Sequence, residues 1–373
     1  MGHIQRRQSG RRSVYQARYR DPSGREHARN FTRRSDADRH LATVEADKVR
    51  GQWTDPRLAR ITLGDWITEV DASRRHRRPT TEVRDESLIR NLILPTFADC
   101  QLGAVRPIDI DTWIGDLVGR GYSPATIHKA YQLLGRAFSK AVSGDLIPRT
   151  PLRDIDLPRA DRPTMRFLAA EEIRTLADAI APAYRALVLT AGFTGLRFGE
   201  LAALRKDNLN LLRRTLRVEQ TLTEVRGALA FGPPKTEAAR RSVTIPEFLV
   251  RELAAHIAQH PGQDDLVFPS AEGGPIRRTN FTRRDWLPAV RATVGEPCRF
   301  HDLRHSHVAL LIKGGQHPKV IASRLGHISV RTVLDVYGHL FEGLDEAAAT
   351  ALNGIWEGTA DSTRTSQAAD SVA

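Results

Sequence analysis

The spacing of apolar residues changes along this 373-residue chain, and that change constrains the fold more than any other feature. Between residues 12 and 32, Tyr15, Ala17 and Tyr19 alternate with Gln16, Arg18 and Arg20, a period of two that fits a β-strand. Asp21-Pro22-Ser23-Gly24 supplies a turn, and Arg25 to Thr32 returns as a second strand. Ser35 reads as the N-cap of a following helix, with Asp36 and Asp38 in its first turn and Ala37, Leu41, Val44 and Val49 as a partial apolar stripe. This small module of two or three strands plus a helix ends near Gly51.

From residue 61 the spacing becomes helical. Leu63, Trp66, Ile67 and Val70 make one stripe, and Leu88, Leu92 and Ile93 belong to a second. Ile110, Trp113, Ile114, Leu117 and Val118 make a third. The fourth opens at Ser123-Pro124, a cap followed by proline at the first helical position, and runs through Ile127, Tyr131, Leu134 and Phe138. Four amphipathic helices with short connections predict a compact bundle. Pro148, Pro151, Pro158 and Pro163 then read as a linker. Beyond them, helical patterns such as Glu171–Ile180 and Tyr184–Thr190 enclose short strands at Leu216-Arg217-Val218 and Ser242-Val243-Thr244-Ile245. The expected fold is multidomain and mainly α with small β elements. It comprises a β-sheet-plus-helix module at 1–55, a helical domain at 60–155, a mixed α+β domain at 164–357 and a disordered polar tail at 358–373.

Charge narrows the partner. The chain carries 56 Lys+Arg against 44 Asp+Glu, a net charge of +12, which points to a polyanion. Residues 1–60 hold 15 basic and 7 acidic residues, a net of +8, so most of the excess sits in the first module. Arg11, Arg12, Arg18 and Arg20 are its candidate contacts to nucleic acid. The run Arg74-Arg75-His76-Arg77-Arg78 in the helical domain is a second candidate phosphate contact, against the plainer reading of a solvated loop. Two cysteines, Cys100 and Cys298, cannot build a disulfide framework or a cysteine-rich zinc site. No apolar run approaches the ~20 residues of a membrane span, and a reducing cytosol is the default compartment.

Four clusters in the third domain carry chemistry. They are Thr194-Gly195-Leu196-Arg197-Phe198-Gly199-Glu200-Leu201, then Pro234-Lys235-Thr236 with Arg240-Arg241-Ser242-Val243, then His301-Asp302-Leu303-Arg304-His305, and finally Leu325-Gly326-His327 with Tyr337 ten residues later. In this order they resemble the tyrosine recombinase, or phage integrase, family across most of residues 165–345. All six positions of that family's catalytic set are filled, by Arg197, Lys235, His301, Arg304, His327 and Tyr337.

The resemblance implies an integrase that cuts and rejoins DNA at specific sites through a 3′-phosphotyrosine. Tyr337 is then the nucleophile, and Arg197 and Arg304 fork onto the non-bridging oxygens of a pentavalent phosphorane. Lys235 protonates the leaving 5′-hydroxyl, while His301 and His327 hydrogen-bond the phosphate or manage the tyrosine proton. Glu200 either orients Arg197 or is an ordinary helix carboxylate. Because exchange of phosphodiesters is nearly isoenergetic, neither ATP nor a metal or other cofactor is expected. The resemblance further implies double-stranded DNA with core and arm attachment sites as partner, with the first module binding the arm sites. It implies a homotetramer on DNA in the bacterial cytoplasm, with an excisionase and a DNA-bending host factor as further partners.

Other readings remain at this level. A cellular dimer-resolution recombinase would share the six positions but usually lacks the basic first module. A silent DNA-binding regulator would not need all six, and a type IB topoisomerase would not need two DNA-binding modules. His301 and His305 stand at the i, i+4 spacing of a zinc protease, but Asp302 replaces the longer glutamate and Arg304 would repel the cation. His305 and His307 are therefore expected to be structural or to face DNA. The stripe Leu340, Phe341, Leu344, Ala348, Leu352 and Ile355 packs either on its own chain or on a neighbour.

Overall fold

The computed structural model describes residues 2–9, 12–51, 53–74, 76–159, 165–234, 236–295, 297–326, 329–341, 349–350 and 352–356. It divides into two compact units, Met1–Arg162 and Pro163–Ala373.

The first unit opens with three antiparallel strands in the order β1-β2-β3: β1 (His3–Ser9), β2 (Arg12–Arg20) and β3 (Glu26–Phe31). The β2–β3 turn is built on Asp21, whose carboxylate accepts the Ser23 hydroxyl at 2.7 Å and the Arg25 amide at 2.8 Å and pairs with His27 at 2.9 Å. Those bonds, Ser23 first and His27 second, hold the Asp21 carboxyl far below the usual carboxylate range. Strand β1 has the sequence HIQRRQS and no legible alternation. It forms because the edge of β2 offers ladder partners from His3↔Arg18 to Ser9↔Arg12. Helix α1 (Arg34–Val49) covers this sheet through Ala37 and Val44. Its extended boundary residue is Arg33, with no side-chain cap, so Ser35 lies inside the first turn rather than capping it. Val49 is exposed, and the stripe assigned to it ends at Val44.

The bundle follows: α2 (Leu63–Ala72), α3 (Pro79–Leu88), α4 (Leu94–Phe97), α5 (Pro107–Gly119) and α6 (Pro124–Ser143). Ser123 caps α6 through the Thr126 amide, with Pro124 in the first turn. Leu63, Ile67, Leu92, Ile93, Trp113 and Phe138 meet in one core. The two core indoles are satisfied: Trp66 Nε1 donates to the Ala137 carbonyl at 2.9 Å, and Trp113 Nε1 donates to the Leu92 carbonyl at 2.8 Å. Val118, expected in the third stripe, is exposed. Between α3 and α4, Ile89–Ile93 widens into a π-turn just ahead of Pro95, which lacks the N–H an α-turn would need.

The second unit is mixed. Helices α7 (Ala170–Ala179), α8 (Pro182–Thr194) and α9 (Phe198–Ala202) precede the strands. Strands β4 (Leu209–Asn210), β5 (Thr215–Val218), β6 (Thr221–Val225), β7 (Ala228–Gly232) and β8 (Arg241–Thr244) form a sheet in the order β4-β5-β8 and a β6–β7 hairpin. Then come α10 (Glu247–Gln259), α11 (Arg278–Phe281), α12 (Leu287–Ala292), α13 (Asp302–Lys313), α14 (Pro318–Leu325) and α15 (Arg331–Tyr337). A main core gathers α7, α8, α10 and the aromatic group of Phe281, Trp286 and Phe300. A smaller core joins Val308 and Ile312 of α13, Ile321 and Leu325 of α14, and Val333 and Tyr337 of α15. This smaller core places the residues discussed next. Leu352 and Ile355 are exposed in a C-terminal helical segment, while Leu344, Ala348 and the tail at 358–373 lie outside the described residues. Among the described residues no helix is long and apolar enough to cross a membrane.

Candidate active site

Two helix ends converge on one arginine. Helix α8 stops at Gly195, with φ of 68°, and α14 stops at Gly326, with φ of 66°, both left-handed. A Cβ at Gly195 would come within 2.7 Å of His307 Cδ2 and 3.0 Å of Leu325 Cδ2, so both space and backbone require glycine there. Arg304, in the first turn of α13, donates from Nη1 to the Gly195 carbonyl at 2.6 Å and from Nη2 to the Leu325 carbonyl at 2.7 Å. A buried guanidinium thus closes the ends of two helices, where carbonyl dipoles favour a cation. Burial, with the Arg197 charge adding, presses its pKa down to about 9, so it remains cationic at neutral pH.

Arg197 enters α9 in extended conformation. Glu200, three residues on, accepts the Arg197 amide at 2.9 Å through Oε2 and Arg197 Nη1 at 2.9 Å through Oε1. The Arg197 side chain keeps 42% of its surface exposed while Glu200 keeps 3%. Glu200 is therefore buried, and it does orient Arg197. It also meets Arg241 at the start of β8, whose Nη2 donates to Oε2 at 3.0 Å. Arg241 in turn donates from Nε to the Arg324 carbonyl at 2.6 Å and from Nη1 to the Ala239 carbonyl at 3.0 Å. Burial pushes the Glu200 carboxyl up, but Arg241, the Arg197 amide and the Arg197 charge outweigh it and leave it below the usual value. Sequence reasoning gave Arg241 no role. Its only signal was its place beside the Lys235 segment.

Tyr337 ends α15 and is 4% exposed. Its hydroxyl lies 2.7 Å from Nδ1 of His305 on α13. Burial pushes the phenol up to about 12, against the pull of Arg304. Burial likewise lowers His305, against Asp302 and with Arg299 and Arg304. Tyr337 Oη and His305 Nδ1 thus share a hydrogen bond whose direction is set by the imidazole tautomer. His301 stands at the start of α13 with its ring edge-on to His305, centroids 5.0 Å apart. Although the residue keeps an exposed face, desolvation of the ring, with His305, Arg304 and Arg197 adding, brings it down to about 4. His307 is structural as expected: it is buried, with Nδ1 at 3.2 Å from the Gly192 carbonyl. His305 instead touches the tyrosine oxygen. Among the described residues, no group of three or more His, Cys, Asp or Glu is placed to hold a metal ion.

The structure therefore brings Arg197, Glu200, His301, Arg304 and Tyr337 into one neighbourhood. Lys235 and His327 lie outside the described residues, as do Arg11 and Arg75. Arg12 opens β2. Arg18 bonds Gln16 at 2.9 Å and Glu26 at 3.0 Å, and Arg20 is exposed beside the turn. The basic run of the bundle is less solvated than its sequence suggests. Arg77 forks onto Asp71 at 2.6 and 2.8 Å, and Arg74 meets the fully buried Asp85 at 2.9 Å, with Arg84 at 2.7 Å on the other carboxylate oxygen. Arg78 is exposed.

The model of the phage integrase family matches residues 166–343, and the model of the phage integrase N-terminal domain matches residues 1–50. The chain belongs to the phage integrase family. The family's activity is tyrosine-type site-specific recombination. This integrase is 28% identical over 366 residues to a prophage phiRv2 integrase of Mycobacterium tuberculosis, covering 95% of this chain and 96% of that one. It is 26% identical over 313 residues to the ICEBs1 integrase of Bacillus subtilis, covering 80% and 83%. In fold it is similar to the Tn1549 transposon integrase solved with transposon right end DNA, with a TM-score of 0.69 at 21% identity over 79% of this chain and 99% of that one.

Proposed function

We propose that this integrase joins the DNA of a phage or other mobile element to a host attachment site, with Tyr337 as the nucleophile. The observation that carries the reading is a buried tyrosine hydroxyl beside α13, within reach of the Arg304 charge, with Arg197 half-open to solvent in the same neighbourhood. Two guanidiniums at one phosphate match the charge of a pentavalent phosphorane, and burial of Arg304 makes its donors pre-oriented rather than reorganised by solvent. Glu200 and Arg241 fix the first arginine, and two helix termini fix the second. Lys235, between Pro234 and Thr236 in sequence, serves as acid for the leaving 5′-oxygen. His301 and His327 serve as donors to the phosphate.

Double-stranded DNA is the substrate. The Tn1549 integrase was solved on circular intermediate DNA, and a lambda integrase tetramer of similar fold was solved on a Holliday junction, with a TM-score of 0.57. We extend to this chain a homotetramer on DNA in the bacterial cytoplasm, with an excisionase and a bending protein setting direction. Three functional parts fit the chain: residues 1–55 on arm sites, 60–155 on core DNA, and 164–357 for cleavage. The test is a nicked suicide duplex carrying the core site. The wild type should accumulate a covalent protein–DNA adduct, and Tyr337→Phe should form none. An adduct with the phenylalanine variant would end the assignment.

A further inference from the structure

The ring of Tyr337 is met by a segment outside the four sequence clusters. Residues 165–168 lie between the proline-rich linker and α7 and strap two cores together. Met165 and Phe167 pack on the small core that holds Tyr337, while Leu168 is buried in the main core. Arg166 donates to the carbonyls of Val294 and Gly295 just past α12, the latter at 2.8 Å. The Leu168 amide donates to the Ser306 hydroxyl at 2.8 Å, and that hydroxyl donates to the Asp302 carbonyl of α13 at 2.7 Å. Alternate residues thus serve opposite sides, as in any extended chain. Phe167 is anchored through both of its neighbours.

The ring of Phe167 lies against both sides of one turn. Its centroid is 6.5 Å from that of Tyr337, at 55°, and 6.1 Å from that of His339, at 45°, both within the range of aromatic pairs. Tyr337 and His339 flank Gly338. That glycine is helical, with φ of −52° and ψ of −38°, and a Cβ on it would meet nothing within 4 Å. Neither its backbone nor its surroundings call for glycine, and glycine weights the helical form about fivefold less than alanine does. The turn that follows the tyrosine is therefore loose by itself, and Phe167 spans it from outside.

We propose that Phe167 is a positioning residue for strand cleavage: its ring is a fixed wall that holds the turn 337–339 and so keeps the tyrosine oxygen aimed at the scissile phosphate. This inference rests on the nucleophile assigned above. Among the described residues two rings meet Tyr337, at different ends. His305 meets the hydroxyl at 2.7 Å, and Phe167 meets the ring. The hydroxyl lies at the far end of the side chain, so a small tilt of the unsupported ring carries the oxygen away from the line of attack. A misplacement of about 1 Å costs up to about 10²-fold in rate. Phe167 carries no proton and no charge, so its whole effect passes through the placement of Tyr337.

The experiment measures single-turnover adduct formation on a saturating nicked core-site duplex. Phe167→Ala should bind core DNA as tightly as the wild type and cleave it about 10–100-fold more slowly. Phe167→Leu keeps the apolar volume without the flat ring and guards against a folding loss. With a wild-type melt it should still cleave about 3–10-fold more slowly. A second arm uses hydrogen peroxide as the nucleophile in Tyr337→Phe, where attack on the same phosphate needs no tyrosine. Adding Phe167→Ala to that background should change the peroxide rate by less than about twofold. A peroxide rate that falls as far as the tyrosine reaction would place the damage at the phosphate site and overturn the proposal. So would a tyrosine reaction in either folded Phe167 variant that equals or exceeds the wild-type rate. An adduct formed by Tyr337→Phe alone is a separate failure, of the nucleophile and not of Phe167.

Discussion

Replacing Glu200 by alanine isolates what the buried network contributes. Glu200 and Arg241 keep 3% and 6% of their side-chain surfaces, so the variant leaves a guanidinium buried without its carboxylate. Removing one partner of a buried pair costs about 3–5 kcal/mol. Arg241 retains the Arg324 and Ala239 carbonyls, which places the loss at the lower end, near about 3 kcal/mol. The bond from Glu200 to the Arg197 amide adds about 1 kcal/mol as a helix cap. At roughly 2–4 °C per kcal/mol, the expected fall in the melting temperature of the second unit is about 8–16 °C. Circular dichroism melts give this number, and a double-mutant cycle with Arg241→Ala gives the coupling. The pH dependence has a defined sign. Glu200 lies below its ordinary value of 4.5 in the folded protein, so its contribution is fully present above that pH and fades as pH falls through the folded value. The gap between wild type and variant should therefore narrow in acid. A fall under about 2 °C at pH 7, or a coupling near zero, would refute the network as the support of Arg197.

Three further outcomes follow from the same geometry. Gly195→Ala imposes a left-handed alanine against His307 and Leu325, and should destabilise by about 2 kcal/mol or more while displacing a carbonyl that holds Arg304; melts and adduct formation report both. Asp85→Ala strips the fully buried carboxylate from Arg74 and Arg84, and should cost the helical bundle about 3 kcal/mol in a urea titration; a loss below 1 kcal/mol would mean that water already serves those arginines. Deleting residues 1–55 should impair recombination between attachment sites, scored on plasmids, while leaving cleavage of core DNA intact; loss of cleavage would contradict separate roles.

Local chemistry was legible in the sequence wherever it lies within a few consecutive residues. Ser123-Pro124 announced the start of α6, and Asp21 to Gly24 announced the β2–β3 hairpin, because caps and turns are local. Glu200 lay three residues from Arg197, so its orienting role was one of two open readings. The links between distant segments were not legible. Glu200 meets Arg241 across 41 residues, and His305 meets Tyr337 across 32, and no spacing rule encodes either contact. The basic run 74–78 read as solvated or DNA-facing, but Asp71 and Asp85 occupy Arg77 and Arg74 once the helices pack. Strand β1 was invisible because its pairing comes from β2 and not from its own alternation. Ser35 was placed as a cap by composition alone, and helix α1 starts before it.

The central claim is that Tyr337 carries the DNA. Digestion of the trapped adduct and mass spectrometry of the nucleotide-bearing peptide tests it most directly. The modified residue should be Tyr337, bearing a 3′-phosphonucleotide. Modification of any of the other five tyrosines, or of a serine, would contradict the account.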